Sequence, residues 1–231
     1  MEYGMPTLIE TDSLEETVSL CKELDLSFIE LNMNLPQYQV SELEDVNHYL
    51  RLQKQYGIFF TIHLDENLNI ADFNELVANA YSQTVRRTIR VGKILGVPIL
   101  NMHMNPGVHF TLPDRKVQLF EKYEDKYLTA ISEFMKMCET EIGDSDLKIS
   151  IENTDGFSGY EQKAIDLLLE SKFFSLTWDI GHSNSAGNVD ENFLMERQSR
   201  LAHFHIHDSL GERNHLTLGT GEIDLLQRIN I

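Results

Sequence analysis

Short apolar runs and amphipathic stretches alternate along the whole chain. An opening run within MEYGMPTLIETD and the runs SFIELNM, IFFTIHL, PILNMHM, LKISIEN, FFSLTWDIG and LAHFHIHD read as strands, and the stretches between them carry helical periodicity. Strand–helix alternation of this kind predicts βα units and a parallel sheet. Ser13-Leu14-Glu15-Glu16 reads as a capping box, with Leu14, Val18, Cys21 and Leu24 as the apolar groups of a first helix. Ser41-Glu42-Leu43-Glu44 repeats the device and predicts a second helix with Leu43, Val46 and Leu50 buried and Gly57 as its stop. A third is predicted from near Asp72 to Gly96, burying Phe73, Leu76, Val77 and Ala80. A long charged helix is predicted from about Lys116 to Thr140, a shorter one carries Ala164, Ile165, Leu168 and Leu169, and IDLLQRINI begins another.

Counting gives seven strands, so the expected architecture is α/β, a (β/α)8-type barrel in one domain over residues 1–231 that lacks the eighth strand. Six of the strand-like runs end on a residue that can bind a metal or move a proton: Glu30, His63, His103, Glu152, Asp179 and His205. In such a barrel the active site is assembled from the C-terminal ends of successive strands, so residues far apart in sequence converge on one mouth. The bland reading leaves each of them as a polar residue in a solvated mouth.

Glu152, Asp179 and His205 together offer two carboxylates and an imidazole, a donor set that suits Mn²⁺, Zn²⁺, Co²⁺ or Mg²⁺. Each ends an apolar run, where an unpaired charge is expensive. His182 follows Asp179 by three residues and reaches the same cleft, or is an ordinary loop histidine. His203, His205 and His207 alternate and share one face; His203, deepest in the run, reads as a core histidine. Trp178 and Phe157 are candidates for an apolar wall, although Trp178 alternates away from Asp179.

Charge narrows the partners. The chain has 19 Lys+Arg against 37 Asp+Glu, a net charge of -18, which repels nucleic-acid backbones and anionic membrane surfaces unless the positive charge is gathered in one place. The clearest basic cluster, Arg86, Arg87, Arg90 and Lys93, falls on one helix of the outer ring and reads as a solvated face. No basic segment followed by an apolar run opens the chain, and no stretch approaches ~18 apolar residues, so a soluble, cytoplasmic protein is expected. Cys21 and Cys138 lie in helix-like segments and read as buried hydrophobes.

The histidine ending strand four, then ENTDG, DIGHS, HIHDS and NHLTLGTGEID in this order, resemble the xylose isomerase-like barrel superfamily. That group contains sugar phosphate isomerases and epimerases and the endonuclease IV family. The isomerase branch implies one divalent metal held by Glu152, Asp179, His205 and a glutamate of strand eight, for which Glu222 lies too early. It also implies proton transfer through an enediolate, with Glu152 as the available carrier and the strand-eight glutamate as its partner; His182, from its place after Asp179, is the other catalytic candidate. The nuclease branch implies three zinc ions on His63, His103, Glu152, Asp179, His182, His205 and His215, but Arg213 stands where an aspartate is expected. On the isomerase reading His63, His103 and His215 hold a second metal or contact substrate, and Arg213, Glu30 and His207 bind it.

The function expected is therefore a divalent-metal-dependent isomerase or epimerase acting on a sugar, sugar phosphate or polyol. The alternatives are an endonuclease IV-like phosphodiesterase acting on abasic DNA and a non-catalytic metal- or carbohydrate-binding barrel. The expected partner is a small sugar or polyol, with no nucleic acid and no membrane. The open barrel edges favour a homo-oligomer.

Overall fold

The computed structural model describes residues 1–229; residues 230 and 231 at the end of the expected C-terminal helix lie outside them. The chain runs β1 (Gly4–Pro6), α1 (Leu14–Glu23), β2 (Phe28–Asn32), α2 (Val40–Leu43), α3 (Val46–Tyr56), β3 (Phe59–His63), α4 (Glu75–Leu95) and β4 (Ile99–His103). A hairpin of β5 (His109–Thr111) and β6 (Lys116–Gln118) leads to α5 (Leu119–Lys122) and α6 (Glu124–Ile142). Next come β7 (Lys148–Glu152), α7 (Gly159–Leu169), β8 (Phe174–Asp179), α8 (Ile180–Ser185), α9 (Glu191–Glu196) and β9 (Leu201–His205). A second hairpin, β10 (Asp208–Leu210) and β11 (Arg213–Leu216), precedes α10 (Leu225–Ile229).

Seven of these strands form one parallel sheet in the order β1-β2-β3-β4-β7-β8-β9, a half-barrel ringed by helices, which is a TIM barrel lacking one strand. Side chains alternate across each strand, so Phe60, Ile62, Leu100, Met102, Ile149, Ile151, Leu176 and Trp178 are all buried in the apolar core. The remaining positions, Thr61, His63, Asn101, His103, Ser150, Glu152, Thr177 and Asp179, point the other way and make the barrel interior polar at this depth. The register is staggered: His63 pairs with Asn101, and Glu152 with Thr177. Each of those partners lies two residues before the polar end of its own strand. Closing a sheet into a barrel requires such a stagger, and here it brings polar groups of different strands into common layers.

Several helix expectations are corrected. Ser41 is not a cap but lies inside α2; the helix breaks at Glu44–Asp45, so the buried stripe of α3 falls on Tyr49 and Leu52 while Leu50 is exposed. The third helix starts after Asn74, whose Oδ1 accepts the Leu76 N–H at 3.2 Å; Asp72 instead holds the Asn74 N–H at 2.8 Å. Its first turns extend past the core, leaving Leu76, Val77 and Ala80 exposed, and the buried stripe begins at Val85. Lys116 opens β6, because the Pro113-Asp114 turn closes a hairpin in which Leu112 N–H donates to the Arg115 carbonyl at 2.8 Å.

Other expectations are met. Ser13 caps α1, accepting the Glu16 N–H at 3.2 Å. Cys21 and Cys138 are buried. The α4 basic cluster is tied to neighbouring helices: Arg87 forms a bidentate pair with Glu44 at 2.7 and 2.6 Å. Arg90 does the same with Glu141 at 2.6 and 3.2 Å, and Lys93 donates to the Glu141 carbonyl at 2.8 Å. Among the described residues no helix is long and apolar enough to cross a membrane.

Candidate active site

The strand ends converge on a cavity of about 1160 Å³. Glu152, at the end of β7, is 2% exposed and surrounded. Its Oε1 lies 2.7 Å from His205 Nδ1 and its Oε2 lies 3.2 Å from His63 Nε2. Asn101 donates to the same Oε2 through its side-chain amide. Asn101 is in turn fixed by Thr177, whose hydroxyl donates to Asn101 Oδ1 at 2.6 Å and lies 2.7 Å from Ser150 Oγ. His63 donates through Nδ1 to the Leu64 carbonyl at 2.8 Å, which fixes its tautomer and turns Nε2 into the site. His103 Nε2 stands 3.1 Å from Glu152 Oε2 but is not aligned to hydrogen-bond it, and no other partner satisfies this buried nitrogen.

Asp179 closes the other side. Its Oδ1 caps α8 by accepting the His182 N–H at 2.7 Å, which is why a helix begins directly at the strand end. Its Oδ2 lies 3.0 Å from His207 Nε2 and 3.9 Å from His205 Nδ1. Asn153 pins the backbone here, donating to the Asp179 carbonyl at 2.9 Å and accepting its N–H at 2.8 Å.

Glu30, at the inner layer, accepts from Thr61 Oγ1 at 3.0 Å and His203 Nε2 at 3.1 Å on one oxygen, and from His205 Nε2 at 2.8 Å on the other. Burial alone would raise the pKa of Glu152 and Glu30, but the charge of His205 and the surrounding imidazoles holds both well below the usual carboxylate range. Burial likewise opposes a charged His205, yet Glu30 and Glu152 together raise its pKa well above the ordinary histidine value.

Three groups of His and carboxylate atoms lie close enough to share a cation: His63, Glu152 and His205; Glu30, His203 and His205; and His182, His207 and His215. The first fits best. It mixes imidazole and carboxylate donors, Asp179 borders it, and the unsatisfied His103 Nε2 points to a missing partner. Beside the second, no such unsatisfied imidazole nitrogen stands among the described residues. In the third, the His215 N–H donates to His207 Nδ1 at 2.9 Å, so His207 must present Nε2–H to Asp179 and has no nitrogen left.

The structure thus brings together Glu30, His63, His103, Glu152, Asp179, His182, His205, His207 and His215 around one cavity. Arg213 does not join them: it is exposed at the start of β11 and is not part of the cavity lining. Glu222 is bound to the nearby loop, accepting the Gly211 N–H at 2.9 Å. Trp178 is fully buried behind the site, donating to Ser183 Oγ at 2.8 Å, and does not line the cavity. Asn101, Thr177 and Ser150 escaped sequence reasoning; the available signal was a polar residue two positions before a strand-end ligand in an otherwise apolar run.

One motif organises the rim. The buried Asp208 carboxylate accepts backbone N–H groups from Ser209 at 2.9 Å, Gly219 at 2.9 Å, Gly221 at 2.8 Å and Ile223 at 3.2 Å. HIHDS and LGTGEI are therefore two halves of one structure. At Gly221 a Cβ would stand 2.2 Å from Asp208 Oδ1, so only glycine fits.

Comparison with known proteins agrees with this architecture. Uncharacterized protein MJ1311 of Methanocaldococcus jannaschii is 28% identical over 98% of this chain and 78% of its own length. A second uncharacterized protein of that organism, MJ1614, is 26% identical over 97% of this chain and 84% of its own. Among solved structures, a D-tagatose 3-epimerase-like protein superposes with a TM-score of 0.76 at 24% identity, covering 100% of this chain and 87% of that one. The 3-keto-D-glucoside 4-epimerase YcjR of E. coli gives 0.76 at 16% identity, over 100% and 86%. Endonuclease IV of Thermus thermophilus gives 0.65 at 16%, over 96% and 83%. At these identities the structures establish the shared fold. The sequence pattern of one family matches residues 18–228, nearly the whole chain, and the protein belongs to that family, the xylose isomerase-like TIM barrels.

Proposed function

We propose that this protein is a divalent-cation-dependent isomerase or epimerase of a neutral sugar or polyol. The observation that carries the reading is the convergence of Glu152, Asp179 and His205, flanked by His63 and the unsatisfied His103, on one cavity. Glu152, Asp179 and His205 would hold a Mn²⁺, Co²⁺, Zn²⁺ or Mg²⁺ ion, which supplies Lewis acidity to a substrate carbonyl and its neighbouring hydroxyls. Glu152, buried at the end of β7, is the carboxylate available to move a proton between adjacent carbons through an enediolate. His182 lines the cavity with Nε2 3.9 Å from Asp179 Oδ2, where it can hydrogen-bond a substrate hydroxyl or carry a proton.

Charge favours a neutral substrate over a phosphorylated one. Glu30, Glu66, Glu152, Asp155 and Asp179 line the cavity, whereas Lys148, the sole Lys or Arg among the described lining residues, sits at the opposite end of β7 from the site. The nuclease alternative loses its basic face, since Arg87, Arg90 and Lys93 are engaged by Glu44 and Glu141.

The test is solvent exchange. Mn²⁺-loaded protein is incubated with D-tagatose and D-allulose in D₂O and the sugars are read by NMR. Deuterium entering a carbon next to the carbonyl, and lost in Asp179→Ala, is the expected result. A cation-loaded protein that exchanges neither these nor other neutral sugars overturns the reading, and cleavage of an abasic-site oligonucleotide would replace it with the nuclease one.

A further inference from the structure

Glu30 joins the two sides of the open barrel. It sits on β2, yet two of its three partners, His203 and His205, come from β9 at the far edge of the sheet, and the third, Thr61, from β3. Its side chain is only 8% exposed, so these contacts are not shared with bulk water.

The chemistry of this contact is one-directional. An ionised carboxylate only accepts hydrogen bonds, so every partner at hydrogen-bond distance must present a proton. Thr61 gives its hydroxyl proton, and His203 and His205 each give an Nε2–H. A neutral imidazole carries one N–H, so a His205 protonated at Nε2 has its lone pair on Nδ1. That nitrogen lies 2.7 Å from Glu152 Oε1 and 3.9 Å from Asp179 Oδ2, so without a cation it presents a proton to Glu152, and only with a cation in that proton's place does the Nε2–H ring offer its lone pair there. Glu30 itself stands on the opposite side of the ring from Glu152, so it does not share a binding point with that carboxylate.

We propose that Glu30 is a positioning residue: it fixes His205 as the Nε2–H tautomer, and so aims the Nδ1 lone pair at a divalent cation held with Glu152 and Asp179. The inference rests on the cation site of the proposed function and adds a residue that never touches the ion. A carboxylate behind a ligating histidine orients the ring and raises its basicity, and loss of such a partner lowers metal affinity by about 10–100-fold. His203 and Thr61 both donate to the other oxygen of Glu30 and hold it against His205.

The experiment has two readouts. The first is Mn²⁺ affinity, by competition with a chelator, for the wild type and Glu30→Ala, with thermal unfolding to establish that both are folded. A fall of about 10–100-fold in folded Glu30→Ala, partly restored by added formate, is expected. Formate can replace a lost carboxylate acceptor but not a lost packing contact, so restoration separates positioning from general disruption. Unchanged affinity, or a loss that formate does not touch, overturns the proposal.

The second readout needs neither metal nor activity. In histidine-selective ¹⁵N spectra of metal-free Glu152→Ala at alkaline pH, which lacks the competing acceptor 2.7 Å from Nδ1, neutral His205 should carry its proton on Nε2, and adding Glu30→Ala should populate the Nδ1–H form. A His205 protonated on Nδ1 in Glu152→Ala overturns the inference. An Nε2–H His205 in that variant beside a wild type that binds no Mn²⁺ refutes the cation reading of the site instead. Should Glu30→Gln unfold less than Glu30→Ala, the same spectra on that isosteric variant give the answer.

Discussion

The imidazole of His207 lies directly on Gly181: a Cβ at 181 would stand 2.1 Å from both Cε1 and Nδ1 of the ring. Gly181 is the second residue of α8, where alanine would ordinarily gain about 0.5–1 kcal/mol over glycine. Here the clash decides the sign. Gly181→Ala should displace the ring from Asp179 and from the His215 N–H, and destabilise by about 1–3 kcal/mol as overpacked sites do. Denaturant unfolding of Gly181→Ala, His207→Ala and the double variant checks this. The double variant should be less destabilised than the sum of the two singles.

Asp208 supplies a pH-dependent tie for the rim. Backbone hydrogen bonds, led by that from Gly221, lower its pKa below the ordinary aspartate value. A folded pKa below the unfolded one means that the stabilisation is full above about pH 4 and is lost as the pH falls through the folded value. Asp208→Asn should therefore lower the unfolding midpoint at neutral pH and narrow its difference from wild type in acid. A constant difference between the two proteins from neutral to acid pH would show that the carboxylate charge is not what holds residues 219–223.

The strand ends were legible in the sequence because a charged or imidazole residue closing an apolar alternating run has few cheap explanations. Glu152, Asp179 and His205 could be picked out on that ground, and their convergence follows from parallel βα topology alone. The partners of those residues were not legible. Asn101 meets Glu152 across a β4–β7 register that pairs Asn101 with Ser150 and His103 with Glu152, and register belongs to the paired strands rather than to any one of them. Helix boundaries failed where two signals competed: Leu76 and Val77 fit a helical stripe, but α4 projects past the core there. Lys116 fits a charged helix, but Pro113-Asp114 turns the chain back first.

His205 makes the metal-free protein sensitive to alkali and the cation site sensitive to acid. Burial opposes its charge, but Glu30 and Glu152 raise its pKa well above the usual value. Its contribution to stability is therefore full below about pH 6.5 and is lost as the pH rises through the raised folded value. Glu152, held well below the carboxylate range, contributes above about pH 4.3 and loses its contribution as the pH falls. Cation binding must expel the His205 Nδ1 proton, so Mn²⁺ affinity should rise with pH through and beyond the ordinary histidine range. Affinity measured at about pH 6, 7 and 8 tests this, and a flat profile would remove His205 from the ligand set.

Ser183 is a single hydroxyl serving three buried groups behind the site. Its Oγ accepts from Trp178 Nε1 at 2.8 Å and from Asn153 Nδ2 at 3.1 Å, and donates to Asp190 Oδ1 at 2.8 Å. All four residues are at most 1% exposed, so water cannot replace the hydroxyl if it is removed. Each orphaned neutral group costs about 1–3 kcal/mol, and Asn153 retains its bond to the Asp179 carbonyl, so Ser183→Ala should destabilise by about 2–4 kcal/mol. Ser183→Thr keeps the oxygen and adds a methyl in a packed site, so it separates loss of hydrogen bonding from change of volume. Denaturant unfolding gives both numbers. Because Asn153 also positions Asp179, Ser183→Ala should weaken Mn²⁺ binding as well, and a variant that loses stability while holding Mn²⁺ as wild type does would show that Asp179 is set by β8 alone.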